Sequence, residues 1–190
     1  GSGDVIVENE FVPKKDMIRF GMQGAVPKEF DTMTWYGRGP HETMRDRKTG
    51  GIIGIHSGRT EELIHPYIRP QENGNRTDVR WVAFTNEEGV GLFVSDVGGT
   101  FLNTSAWPYS MEDLEAAAHD HELPRRDYNT INLDYKQKGV GGNTPVIPRV
   151  LDKYKLPKKN KYYYGFRLRA YEKEKLGSFN ELYRLIPPLP

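Results

Sequence analysis

The sequence predicts an all-β fold, a large antiparallel sandwich, and three observations carry that expectation. Turn-forming residues, 20 Gly and 13 Pro, are spread along the whole chain, and aromatic residues make up 12% of it. Short segments of alternating apolar and polar character recur between those turns. Helix-period patterning is confined to one short stretch.

The clearest strand is Lys161 to Tyr171. Tyr162, Tyr164, Phe166 and Leu168 fall on one face and Tyr163, Arg167, Arg169 and Tyr171 on the other, so the first set is expected to meet the core. A hairpin is expected to join Val79–Thr85 to Val90–Val94, because Asn86-Glu87-Glu88-Gly89 is a polar turn ending in glycine. Further strands are expected at Val5–Val12, Met17–Met22, Thr32–Tyr36, Ile52–His56 and Asn129–Tyr135. The one helix expected is Met111–His119, capped by Ser110 with Asp113 three residues on.

With 190 residues the chain can form one substantial core, burying roughly 70% of its unfolded surface. Gly1-Ser2-Gly3 reads as a cloning scar, which points to a sequence that begins inside a longer protein. Residues 4–175 read as the sandwich and 176–190 as a tail or linker stub, with Pro187-Pro188-Leu189-Pro190 extended.

Charge balance narrows the partners. With 27 basic and 26 acidic side chains the net charge is +1, and no global field favours nucleic acid or anionic lipid. Mean hydropathy is −0.71, and no apolar run approaches the ~20 residues that span a bilayer. Cysteine is absent, which removes disulfides, thiolate metal sites and a cysteine nucleophile and leaves the compartment open. The histidines 41, 56, 65, 119 and 121 show no metal-ligand spacing, and His119-x-His121 is not expected to bind metal. Glu61-Glu62 and Glu87-Glu88 are adjacent pairs in turn-like settings, not the facing carboxyls that glycoside hydrolysis needs.

Unusual chemistry gathers in residues 35–47, WYGRGPHETMRDR, and 65–81, HPYIRPQENGNRTDVRW. Both combine aromatics, arginines, a histidine and carboxylates around Gly/Pro turns, a palette suited to stacking on a sugar ring and bonding its hydroxyls. The same palette also suits structured loops that bond to their own backbone. From the residues alone both readings stand.

These stretches resemble the hallmarks of the small-chain, or fifth, domain of family 2 β-galactosidases. Trp35, Gly37, Gly39, Pro40, Glu42, Asp46 and Arg47 match its W-x-G-x-G-P-x-E-N-Y-x-D-R pattern, and Pro70, Glu72, Asn73 and Gly74 its P-x-E-N-G turn. Gly139-Val140-Gly141-Gly142 resembles its G-[IV]-G-G loop, and residues 161–169 its closing strand. The motifs fall in family order between about Met17 and Tyr171.

The resemblance implies a galactose mutarotase-like supersandwich at the C-terminus of a multidomain retaining glycosidase. Its catalytic glutamates would lie on a separate TIM barrel, so no catalytic residue is assigned here. The domain would pack on that barrel and wall its sugar pocket, with Gly141, Gly142, Asn143, Thr144 and Val146 as the pocket loop or, alternatively, as a plain connector. Asn143-Thr144-Pro145 stand where the family has D-D-S, and Val146 where it has a stacking tryptophan. Thr43-Met44 likewise replace Asn-Tyr. No cofactor is assigned to this chain, and a metal ion is left to the parent enzyme. The partners implied are the other domains, the parent's carbohydrate substrate and, for the parent, further copies in a homo-oligomer.

His65, Arg69, Glu72, Asn73 and Arg76 are the candidate sugar contacts. Two other functions remain. An aldose epimerase would use His65 as acid and Glu72 as base. A carbohydrate-binding module would use the surroundings of Trp35, Trp81 and Trp107 with Arg69 and Arg76.

Overall fold

The computed structural model describes residues 3–142 and 149–185 and contains two antiparallel sheets packed face to face. The strands are β1 (Val5–Phe11), β2 (Arg19–Pro27), β3 (Thr32–Gly39), β4 (Ile52–Arg59), β5 (Arg76–Val79), β6 (Trp81–Thr85), β7 (Val90–Val97), β8 (Leu102–Trp107), β9 (Tyr128–Gln137) and β10 (Tyr162–Glu172). One sheet runs β1-β10-β7-β6-β3-β4 and the other β2-β9-β8-β5. The expected all-β sandwich is what the chain forms.

Alternation delivers the inner faces. Tyr164 and Phe166 of β10, Val94 of β7, Val82 and Phe84 of β6, and Met33 and Trp35 of β3 meet Leu102, Ala106, Ile131 and Leu133 of the smaller sheet. The face expected inward on β10 meets this core, and Arg167 and Tyr171 on the opposite face are buried as well. β6 and β7 form the expected hairpin, with Asn86 Oδ1 accepting from Val90 N–H at 2.8 Å and Gly89 at φ +74°.

The stretch Val79–Thr85 is not one strand, however. Asp78 has φ 55°, and the ladder shifts between Arg76 and Val79, so β5 pairs with β8 while β6 pairs with β3 and β7. One residue, Arg80, separates the two sheets along the chain. β8 was not anticipated, because Asn103, Ser105 and Thr104 are all buried polar residues in a six-residue strand. β2 starts at Arg19 and runs on to Pro27, and Met17 makes only an isolated bridge to Leu156.

Of the helices, α1 is Thr60–Leu63, α2 Met111–Ala116, α3 Lys173–Leu176 and α4 Phe179–Leu185. α2 has the expected capping box: Asp113 N–H donates to Ser110 Oγ at 3.1 Å and Ser110 N–H to Asp113 Oδ2 at 2.8 Å. It stops three residues short of His119. Glu122 accepts the N–H groups of Ala118 and His119 at 2.8 and 3.3 Å, which caps a new 3₁₀ turn instead of extending the helix.

The span 176–190 was read as a tail, yet its described part covers the outer face of the larger sheet. Phe179 lies 5.3 Å from Trp81 and 4.5 Å from Tyr171 between ring centroids, and Leu182 is buried with Trp81, Ala83 and Phe93. Burying that apolar patch is the physical reason the chain turns back. Leu182→Ala is expected to cost about 2–3 kcal/mol in urea unfolding, with a red shift of Trp81 emission before global unfolding; an unchanged midpoint would make α4 a dispensable appendage.

Candidate functional site

The smaller sheet buries polar side chains on the face turned away from the apolar core. Gln23 Nε2 donates to Asn132 Oδ1 at 3.0 Å, and Asn132 Nδ2 to Ser105 Oγ at 2.8 Å, across β2, β9 and β8. Next along β9 is Asp134, whose side chain is fully buried. It is held by Arg19 Nε at 2.9 Å and by Gln137 Nε2 at 3.3 Å. Arg19 Nη1 and Gln137 Nε2 also donate to Glu72 Oε1, at 2.9 and 2.8 Å.

A β-bulge creates this arrangement. Phe20 pairs with Lys136 but Gly21 pairs with Asp134, so Tyr135 is the extra residue. Tyr135 then joins Phe20, Tyr162 and Tyr164 in an aromatic group of the core, while Asp134 and Gln137 share the polar side. Gly21 is required by close approach, since a Cβ there would lie 1.7 Å from Asp134 Oδ1. Burial pushes the Asp134 carboxyl up to about 6 against the opposing pull of Arg19 and Gln137, with Glu72 adding to the rise.

The two motif-rich stretches meet at this end of the sandwich. Glu42 accepts from Gly74 N–H at 2.6 Å and from Tyr67 Oη at 2.7 Å. Burial, then the Glu42 bond, pushes the Tyr67 phenol up to about 12. Thr43 N–H donates to Asn75 O at 2.8 Å, and the Asn75 side-chain Nδ2 donates to Thr43 O at 2.8 Å. Asn73 is buried, donating to Tyr109 Oη and accepting from His65 N–H, both at 3.0 Å, while its carbonyl takes Trp107 Nε1–H at 2.8 Å.

Arg76 is likewise inside, its guanidinium 5.0 Å from the Trp35 ring and bonded to Gly74 O at 2.8 Å. Burial lowers its pKa to about 10, with Glu42 opposing the fall. Of the five candidate sugar contacts, His65 and Arg69 are therefore exposed, Glu72 is half-buried in the ion network, and Asn73 and Arg76 are buried struts.

One sequence reading loses its basis here. Trp35, Trp81 and Trp107 are all 0% exposed, so none offers a face for a sugar and the tryptophan-platform reading is corrected. They are buried because each indole fills a core cluster. The His65 ring packs on Tyr67 at 4.3 Å, and Glu72 faces Arg19 and Gln137. Among the described residues no hydrogen bond joins that histidine to that carboxylate.

Gly139–Gly142 follows β9 directly. Asp46 accepts Val140 N–H at 3.0 Å and Gly141 N–H at 2.8 Å, and Arg47 Nη2 donates to Gly141 O. Gly141 is buried and Gly142 exposed. Asn143, Thr144 and Val146 of the expected pocket loop lie outside the described residues. Among the described residues no group of three or more His, Asp or Glu side chains is placed to hold a metal ion. Among the described residues no helix is long and apolar enough to cross a membrane.

Fold and site together define an antiparallel sandwich domain whose signature residues brace loops at one end of the smaller sheet. Residues 1–168 match the family described as beta galactosidase small chain. The chain is 40% identical over 170 residues to a β-galactosidase of Priestia megaterium, covering 88% of this chain and 16% of that protein. It is 35% identical over 147 residues to one of Halalkalibacterium halodurans and 38% over 146 residues to one of Lactobacillus delbrueckii subsp. bulgaricus, covering 14% of each. This chain belongs to the β-galactosidase small-chain family.

Proposed function

We propose that the chain is the non-catalytic small-chain domain of a retaining, family 2 β-galactosidase-like glycosidase, packed on the barrel that carries the two catalytic carboxyls. The observation that carries this reading is one of proportion: the chain spans 16% or less of the curated relatives it matches. Other domains of one polypeptide are then its partners. The loop that begins at Gly139 walls the parent's sugar pocket, supported by its match to the family motif and by the bracing that Asp46 and Arg47 give it. Val146 in place of the aromatic platform favours a substrate other than lactose.

The test is the mass and activity of the natural gene product, captured with an antibody against this domain. The expected product is a polypeptide several times larger than 21.8 kDa that hydrolyses a chromogenic β-glycoside. A product near this size with no large subunit co-purifying would overturn the proposal.

A further inference from the structure

We propose that Asp46 and Arg47 are positioning residues that hold Gly139–Gly142 in the one shape with which this loop walls the sugar pocket. This rests on the pocket-wall reading above. Three of the four loop residues are glycine, and glycine loses more conformational freedom on ordering than any other residue. Such a loop holds one shape only if something outside it binds its backbone.

The 44–47 turn supplies that grip. Met44 N–H donates to Arg47 O at 3.2 Å and Arg47 N–H to Met44 O at 2.8 Å, a tight reversal that carries Asp46 at its tip. Each oxygen of the Asp46 carboxylate takes one of two successive amides, those of Val140 and Gly141. Arg47 takes the carbonyl of Gly141, so donor and acceptor of that residue are both held by charged groups.

The glycines are fitted to this grip. A Cβ on Gly139 would lie 2.5 Å from Asp46 Cγ, and one on Gly142 2.9 Å from Arg47 Nη2. Gly141 has φ +77°, and a Cβ there would meet the Arg149 backbone at 3.1 Å. At its near end the loop is tied to the sandwich by Lys138 N–H to Ile18 O at 2.8 Å and Gly139 N–H to Tyr154 O at 2.9 Å. Asp46 and Arg47 supply the corresponding tie at its far end.

The experiment pairs two readouts. In the 190-residue chain, Asp46→Ala is expected to speed amide exchange at Val140 and Gly141 by at least about tenfold. Gly139→Ala is expected to do the same without touching the charge, because its Cβ displaces the Asp46 carboxylate. In the full-length parent polypeptide both variants are expected to raise KM for a β-glycoside about tenfold with a smaller change in kcat, since the loop contacts sugar and not the reacting atoms. Asp46→Asn, which keeps one oxygen acceptor, is expected to fall between wild type and Asp46→Ala, and it serves as the reporter should Asp46→Ala fail to fold.

Unchanged exchange at both amides in the three variants would overturn the positioning role and leave the pocket-wall reading standing. Faster exchange with unaltered KM in the parent would overturn the pocket-wall reading, and the positioning role with it.

Discussion

Trp107→Ala is expected to destabilise the chain by about 3–5 kcal/mol, the largest effect of any single substitution considered for this domain. The indole is 0% exposed and stacks at 6.1 Å on Tyr109, within a cluster completed by Leu114 and Leu123. Its Nε1–H is also the donor to Asn73 O. Truncation therefore removes packing and leaves a buried carbonyl without that partner. Equilibrium urea unfolding reads the first part. The second is read by faster amide exchange in residues 65–75 under conditions where β10 stays protected; equal exchange in both regions would mean that Trp107 does not fix the loop.

Arg19→Met is expected to cost about 3 kcal/mol at pH 7, near the lower end for breaking a buried ion pair, because about a fifth of the Arg19 side chain is exposed. The variant strands the Asp134 carboxylate in a site where, among the described residues, Gln137 alone still bonds it. The pH dependence has a definite sign. Asp134 is raised to about 6 in the folded chain, above the ~3.9 of an unfolded aspartate. Its contribution is present below about pH 4 and is lost as pH rises through 6. Without Arg19 the charged form is less favoured still, so the gap in melting temperature between wild type and Arg19→Met should widen from pH 4 to pH 7. A gap that is constant or narrows across this range would show that Asp134 does not carry the effect.

The first expectation concerns a residue that does structural work where sequence reading looked for sugar chemistry. Of the candidate sugar contacts, Glu72 bonds to Arg19, Asn73 to Tyr109 and Trp107, and Arg76 to Gly74, while the motif residues Glu42 and Asp46 bond to Gly74 and to Val140 and Gly141. The departure at Thr43 has a similar meaning. It is 1% exposed, with its hydroxyl 3.0 Å from Thr77 Oγ1 and accepting Thr77 N–H at 3.0 Å. The change at this position belongs to the packing between the two motif stretches.

The sequence by itself determined the sandwich, the inner face of β10, the β6–β7 turn and the cap of α2. Each of these rests on a local rule: alternation, a glycine-ended polar turn, or a side-chain oxygen three residues from an amide. Its motif order also determined the family, because several short patterns in register are specific where one is not. Only the tertiary structure decided the rest. The crossing between sheets at Arg80 depends on the strained Asp78 backbone, and β8 is a strand because the far face of its sheet buries Asn103 and Ser105 against partners distant in sequence. Whether Arg19, Glu42 or Asp46 serves a ligand or a loop depends on what lies within 3 Å of it, and the neighbours that hold them are 32 to 115 residues away along the chain.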